Sequence, residues 1–177
     1  MAKLSPVQQK FILHWGEMGA RWGTNRTVAQ IHALLYLSPK PLDAEEIAAT
    51  LGVARSNVST SLKELQGWGI LKVVHVMSDR RDHFESMKDV WEMFRVVLEE
   101  RKRREIDPTL ELLRECVEAS AKAGAEEEYT RRRLVEMKEF FETMTGWYEQ
   151  IRRMPTEAAV RFVKLGGKIQ KLLGLAS

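Results

Sequence analysis

Several features that would assign a chain to a particular class of protein are scarce or missing among these 177 residues. The one cysteine, Cys116, excludes an intramolecular disulfide framework. No apolar run approaches the length that crosses a bilayer, and the N-terminus lacks the continuous apolar segment of a signal peptide. We therefore expect a cytoplasmic protein that has no membrane partner.

The excess of one sign of charge over the other is also small. The net charge is only +3 and the pI about 9.0, which is too little for a protein that coats nucleic acid without sequence preference. The excess of Lys and Arg lies within residues 1–104, and the remainder is close to neutral. Hydrophobic residues make up 44% of the chain, which is enough to bury a core. The N-terminal part is the better candidate to meet an anionic partner.

Catalytic motifs are missing as well. The four histidines, His14, His32, His75 and His83, stand in separate predicted elements without metal-ligand spacing. There is no glycine-rich phosphate loop, nucleophile elbow or paired-cysteine motif. We expect His32 to be a core or interface group, His83 an exposed bystander and Cys116 a buried structural thiol. The sequence predicts no enzyme activity, no cofactor and no metal site.

What the chain does contain is a distinctive stretch at residues 43–85. Asp43 is placed to cap a short helix that carries two glutamates in its first turn, where acids suit the positive end of the helix dipole. Gly52 is placed to end that helix, because glycine tolerates the left-handed conformation of a helix stop. Val53 then packs between this helix and the next. The pattern predicts two helices joined by a tight turn.

The second helix is predicted from about Arg55 to Gln66. Val58, Leu62 and Leu65 are spaced by four and three residues, so one face is buried. Short hydrogen-bonding side chains and cations share the opposite face. These candidates for DNA contact are Arg55, Ser56, Asn57, Ser59, Thr60 and Lys63. This composition suits a recognition helix, which must bond base edges and neutralise phosphates in the major groove.

A hairpin is predicted next. Residues 70–76 are apolar and β-branched, residues 77–82 are polar and turn-like, and residues 83–85 alternate. Arg80 and Arg81 are expected at the hairpin tip, within reach of the minor groove or its phosphates. Two helices followed by such a hairpin predict a winged helix-turn-helix that binds DNA. Because winged helices also dock on proteins, a protein-protein interaction module of the transcription machinery stays open as the alternative.

The segment LGVARSNVSTSLKELQGWGILKVVHVMSDRRDHFES resembles the DNA-binding region of MarR-type regulators. Together with GTNRTVAQIHALLYLSPKPL and KDVWEMFRVVLEERKRREIDPTLELL, it resembles the GbsR branch of that family, over about residues 10–115. The resemblance implies a homodimeric DNA binder, usually a repressor. Some members resemble regulators of glycine betaine genes that respond to choline, but this chain carries no motif for that effector. Where the family usually caps the recognition helix with Ser or Thr, this chain has Ala54, so that Ser56 would have to cap the helix or its start would stay frayed until DNA binds.

The rest of the chain is predicted to be helical, so the expected fold is mostly α with a small β wing. Helices are expected over residues 6–20, 25–37, 87–104, 107–122, 125–154 and 156–173. We expect residues 1–87 to form the DNA-binding domain and residues 88–177 a helical dimerisation and effector region. Arg26, at the start of the second helix, is a further candidate for a phosphate contact.

The long helix after residue 125 carries an apolar pattern with spacings of three and four. Its members are Leu134, Met137, Phe141, Met144, Tyr148 and Ile151. This spacing is typical of a heptad seam, and Phe140, Trp147 and Met154 widen it onto a second side. The pattern leaves open a two-sided core helix, a dimer interface and the wall of an effector pocket. Phe140, Trp147 and Tyr148 are candidates for an aromatic cage around a quaternary ammonium.

These observations lead to one hypothesis. The chain would be a homodimeric transcriptional regulator, a repressor that responds to a small molecule or to an osmotic condition. Two recognition helices would bind a palindromic operator in double-stranded DNA. The operator, the effector and the helices that form the dimer seam cannot be assigned from the sequence.

Overall fold

The architecture was obtained from a computed structural model, which describes residues 4–122, 127–162 and 165. The chain divides into two compact units, Met1–Val97 and Leu98–Ser177. The elements in chain order are α1 (Pro6–Arg21), α2 (Arg26–Leu37), β1 (Leu42–Asp43), α3 (Ala44–Leu51), α4 (Arg55–Gly67), β2 (Leu71–His75), β3 (Asp82–Ser86), α5 (Val90–Arg101), a π-helix (Lys102–Ile106), α6 (Asp107–Lys122) and α7 (Glu128–Arg152). The fold is mostly helical with one small sheet, as the sequence predicts.

The helices of the first unit begin and end where their sequence signals lie. Ser5 caps α1, since its hydroxyl accepts from the Gln8 N–H while the Gln8 side-chain oxygen accepts from the Ser5 N–H. Asp43 and Glu46 form the same reciprocal pair at the start of α3. Gly52 ends α3 with φ of 65°, the left-handed conformation expected there. These local rules place the helix-turn-helix pair.

The wing is part of a three-stranded antiparallel sheet in the order β1-β3-β2. Its hairpin pairs Leu71 with Ser86 and His75 with Asp82 across β2 and β3. The very short strand β1 pairs with the other edge of β3, so that Asp43 lies opposite His83. The start of α3 is thereby joined to the wing through the backbone ladder.

The core of the first unit gathers apolar faces of α1 to α5 and of the sheet. Ile31, Ile47 and Val58 are fully buried in it. His32 is buried beside them, with its Nε2 atom 3.0 Å from the Met93 sulfur of α5. The prediction that His32 is a core group is confirmed.

Lys88 holds the end of α2. Its ammonium donates hydrogen bonds to the carbonyl oxygens of Leu35, Tyr36 and Ser38 at 2.9, 2.8 and 2.9 Å. These oxygens lie at the C-terminal end of the helix, where the dipole favours a cation. Helix α5 begins only after this contact, because Asp89 accepts from the backbone N–H groups of Trp91 and Glu92. The predicted start at residue 87 was therefore about three residues too early.

In the second unit, the end of α5 continues without a break through the π-helix into α6. The sequence predicted a fresh start at Asp107-Pro108, because proline cannot donate the usual helix hydrogen bond. Instead the turn widens, and the Asp107 N–H donates to the Lys102 carbonyl five residues back. A wider turn accommodates Pro108 without ending the helix.

Helices α6 and α7 pack against each other in the second unit. Leu110, Leu113 and Ser120 of α6 are buried there, and Arg114 pairs with Glu142 of α7 across the contact at 3.1 Å. Cys116 is half-buried, so the prediction of a fully buried thiol was too strong.

Beyond α7 the chain turns at Pro155 and is helical again from residue 156 to 162. The predicted remainder of that last helix, to residue 173, lies outside the described residues apart from residue 165. Among the helices that the structure describes, none combines the length and the apolar character needed to cross a membrane.

Candidate nucleic-acid interface

Helix α4 presents the face that the sequence assigned to DNA. Val58, Leu62 and Leu65 point into the core. The opposite face is open, with only Ser59 half-buried among the candidate contact residues, and the exposed ones are Arg55, Ser56, Asn57, Thr60 and Lys63. Donors, acceptors and cations therefore stand together on the solvent side of the helix.

The N-terminus of α4 has no side-chain cap. Ala54 occupies the capping position with φ of −63° and ψ of 141°, and no side chain accepts from the first N–H groups. Ser56 does not supply the missing cap, although its carbonyl accepts a bond from the Thr60 hydroxyl at 3.2 Å. The free N–H groups leave this helix end with unsatisfied donors and a positive dipole.

A cleft of about 300 Å³ separates α4 from the wing. Arg55, Ser59 and Lys63 line it from the helix, and Val73 and Arg81 line it from the wing. The fold thus brings the predicted recognition helix and the predicted wing to one surface. Arg26 begins α2 and is not among the residues that line this cleft.

Arg81 is engaged by several carboxylates. Its Nε atom lies 3.0 and 3.1 Å from the two carboxylate oxygens of Asp79, and its Nη2 atom 2.5 Å from Asp79 Oδ2. Its Nη1 atom lies 2.7 Å from Asp43 Oδ2 and 3.8 Å from Glu45. The hydrogen bond from Arg81 lowers the pKa of Asp79, and the same bond raises the pKa of Arg81. This guanidinium links the hairpin loop to the start of α3.

Asp43 combines three roles at this point. Its backbone belongs to β1, and its Oδ1 atom accepts from the N–H groups of Glu45 and Glu46 at 2.7 and 2.9 Å. Its Oδ2 atom is buried and has no hydrogen bond of good geometry within the described residues, so its charge is balanced by the ion pair with Arg81. The carboxylate is only 3% exposed, which makes that pairing necessary.

His83 is not the exposed bystander that the sequence suggested. It is buried on β3, with Nδ1 3.0 Å from the Arg81 carbonyl and Nε2 3.6 Å from Asp79. Asp43 of β1 lies opposite His83, which the sequence could not show because β1 is only two residues long. One atom each of Asp43, Glu46 and His83 lie within 4.8 Å of one another, but both carboxylates already accept backbone hydrogen bonds.

The outer end of the wing carries an apolar side chain. Met77 is 94% exposed, more than any other large hydrophobic residue among those described. Arg80, on the same loop, is also exposed, and it has no ion pair in the described part of the chain. Arg80 and Met77 therefore project, whereas Arg81 folds back toward α3.

The candidate effector residues on α7 lie on different sides of the helix. Phe140 and Trp147 are 60% and 51% exposed, and they alternate with the exposed Met137 and Met144. We call these four residues the α7 stripe. Tyr148 is half-buried instead, and its hydroxyl donates to Glu99 at 2.9 Å.

Burial and the bond to Glu99 raise the pKa of Tyr148, so its hydroxyl stays protonated. Of the heptad pattern predicted on this helix, Phe141 and Tyr148 turn inward while Met137 and Met144 are exposed. Phe140 and Trp147 extend the apolar residues onto a second side of the helix, as the sequence predicted, but the predicted seam itself is divided between an inward and an exposed side.

The part of the chain that holds the helix-turn-helix and most of the wing matches a known protein family. Residues 22–82 match the MarR family. This matched segment runs from just after α1 to the start of β3, so it contains α4 and the hairpin loop with Arg80 and Arg81.

Two solved structures are similar to the chain. One, described as a transcriptional regulator, is 22% identical over 90% of this chain and 99% of its own, with a TM-score of 0.65. The other is the transcriptional regulator Tm0710 from Thermotoga maritima, 20% identical over 80% of this chain and 91% of its own, with a TM-score of 0.39. No match is found among curated proteins. The likeness to the first structure extends beyond residues 22–82, so the chain outside the matched segment also has a known fold.

Sequence reasoning missed the partners of Arg81. The spacing Asp79-x-Arg81 was a usable signal, since an acid two residues before an arginine in a tight loop can bond both its N–H and its guanidinium. The role of Asp43 in balancing Arg81 had no local signal, because the two residues meet only when β1 pairs with β3.

Proposed function

We propose that this protein is a sequence-specific DNA-binding transcriptional regulator of the GbsR branch of MarR-type proteins. It acts as a homodimer, represses transcription by excluding polymerase from its operator, and responds to a small molecule or an osmotic condition. The observation that carries the proposal is the exposed polar and cationic face of α4 beside a wing, within the segment that matches the MarR family.

Base contacts are assigned to the short side chains of α4. Asn57 has an amide that can pair with adenine in the major groove, and Ser56, Ser59 and Thr60 can bond either partner of a base pair. Arg55 and Lys63 flank this group, where they can bond guanine or neutralise phosphate. The uncapped N-terminus of α4 adds free N–H donors that suit a phosphate oxygen.

Phosphate contacts are assigned to cations that have no carboxylate partner among the described residues. Arg80 is the stronger candidate in the wing, since Arg81 is already paired with Asp79 and Asp43. Arg81 approaches DNA only as part of that neutralised cluster. Arg26 is exposed at the start of α2 and is a further phosphate candidate.

Dimerisation is supported by the α7 stripe. Its four members lie at spacings of three, four and three residues and expose large apolar side chains. Such a row on a soluble helix marks a surface that a partner covers. A second copy of the chain would supply the second recognition helix, which must lie one DNA turn, about 34 Å, from the first.

An effector would act by changing the separation of the two recognition helices. Phe140 and Trp147 offer aromatic faces for a quaternary ammonium, and Tyr148 could join them only from the other side of α7. Any ligand that binds one separation more tightly shifts the population toward it and changes the affinity for the operator.

Selection of genomic DNA fragments by the purified protein tests the proposal. Recovered sites should share a motif with two-fold symmetry, and sedimentation should give a dimer. Asn57→Ala should then relax sequence preference at one base position of each half-site by about 1–3 kcal/mol.

Arg80→Ala is the control, because Arg80 is exposed on the wing and is assigned to a phosphate contact. It should weaken binding to selected and random DNA by similar factors, because a phosphate contact carries no sequence information. Failure to enrich any sequence would remove the proposal and favour a protein-docking module. Equal losses on both kinds of DNA for Asn57→Ala would remove its role in base readout.

A further inference from the structure

The tip of the wing is apolar where a DNA-binding hairpin would be expected to carry only polar groups. Met77 is 94% exposed and Val76, next to it, is 41% exposed. Ser78 follows with φ of 70°, a left-handed conformation that turns the loop sharply beyond Met77. The side chain of Met77 therefore stands at the outermost bend of the hairpin.

The loop that carries Met77 is firmly braced. The Asp79 N–H donates to the Val76 carbonyl at 3.1 Å, which closes the bend around Met77. Asp79 in turn holds the guanidinium of Arg81, and Arg81 reaches Asp43 at the start of α3. A methionine on a loop tied in this way keeps a fixed position relative to α4.

We propose that Met77 is an apolar wedge that enters the minor groove next to the major groove occupied by α4. The inference rests on the proposed DNA-binding function and deepens it. Apolar side chains that enter the minor groove partly unstack a base step and bend the duplex. Met77 thereby favours operators with an easily unstacked pyrimidine-purine step beneath the wing, and it reads sequence through deformability rather than through base hydrogen bonds.

The surroundings of Met77 favour DNA over a protein partner. Arg80 lies on the same loop, and Arg55 and Lys63 line the cleft between wing and α4. Arg80 on the wing and the two cations of α4 would hold the phosphate backbones that flank a minor groove. An apolar protein surface would instead require a wider apolar patch, whereas the three residues that follow Met77, which are Ser78, Asp79 and Arg80, are all polar.

The test uses full-length protein and duplexes that the wild-type protein selects from a random library. Met77→Ala should bind these duplexes at least about tenfold more weakly, since a buried methionine side chain is lost from the complex. The dependence of affinity on salt should stay unchanged, because no phosphate contact is removed. Met77→Leu, which keeps the apolar volume, should retain most of the affinity.

Unstacking is read directly with 2-aminopurine placed at the step beneath the wing. Its fluorescence should rise with wild type and with Met77→Leu, and stay low with Met77→Ala. Leu13→Ala is the control for loss of an exposed apolar side chain elsewhere, since Leu13 is 58% exposed on α1. It should match wild type in both measurements.

The inference is overturned if Met77→Ala binds as tightly as wild type, or if its loss persists on duplexes shortened to end before the wing site. A wild-type protein that selects no duplex would remove the proposed function and the inference together. Selection with an unchanged Met77→Ala variant removes the inference alone, so the two failures are distinguishable.

Discussion

The two arginines of the wing should respond differently when each is replaced. Arg80 is exposed without a carboxylate partner in the described residues, whereas Arg81 joins Asp79 to Asp43. Arg80→Ala should remove one phosphate contact from each half of a dimeric complex. The slope of log affinity against log salt would then fall by about 1.8, from about 0.9 for each lost contact.

That change in slope has a measurable consequence. Between about 50 and 200 mM salt, wild type should lose about 12-fold more affinity than Arg80→Ala. Arg81→Ala should instead weaken binding at every salt concentration with little change in slope, because the wing loses its link to α3. Fluorescence anisotropy titrations on one operator duplex at four salt concentrations measure both effects.

Arg81→Lys separates the two roles further. A lysine keeps the charge but cannot bridge Asp79 and Asp43 with a planar fork, so it should behave like Arg81→Ala. If Arg81→Lys binds like wild type while Arg81→Ala lowers the slope as much as Arg80→Ala, Arg81 contacts phosphate and the assignment of a bracing role is wrong. A slope change near 0.9 for Arg80→Ala would mean that only one wing of the complex touches DNA.

Three further predictions concern stability and are read by urea or thermal unfolding. Gly19→Ala places its new Cβ 2.5 Å from the Ala29 Cβ, so it should destabilise the folded protein by about 1–3 kcal/mol, and Ala29→Gly should partly restore the stability. Gly146→Ala is the control, because its Cβ meets open space, and it should stabilise the fold by about 0.5–1 kcal/mol. Ala54→Ser should add about 1 kcal/mol by capping α4, and Ala54→Val should not; equal effects would show that the cap is irrelevant. Burial lowers the pKa of His32 from 6.5 to about 4. Neutral His32 therefore contributes fully to the free energy of unfolding above about pH 6.5, and this contribution is lost as the pH falls toward 4. His32→Gln should remove up to about 3 kcal/mol of this pH dependence, and an unchanged dependence of stability on pH would contradict the assignment.

Features governed by neighbouring residues could be predicted from the sequence. The caps at Ser5 and Asp43, the stop at Gly52 and the missing cap at Ala54 all depend on contacts within a few residues. The apolar spacing of α4 likewise predicts which of its sides is exposed. For these elements, the conformation that the neighbouring residues favour is also the one that the tertiary structure requires.

Features that depend on distant residues could not be predicted. Arg81 meets Asp43 only because β1 pairs with β3, and the same pairing sets Asp43 opposite the buried His83. The π-helix before Pro108 depends on whether the following helix packs well enough to favour a widened turn over a break.

The order of the strands in the sheet also bears on how the protein avoids self-association through its wing. Both outer strands, β1 and β2, could in principle pair with a strand from another molecule. The strand β1 has only two residues and follows Pro41, which has no N–H to donate. The strand β2 carries Lys72, whose side chain is 70% exposed and paired with Glu85 of β3. A short, proline-flanked edge and a charged edge resist the growth of intermolecular sheets, so the wing can keep an apolar tip in solution without becoming a template for aggregation.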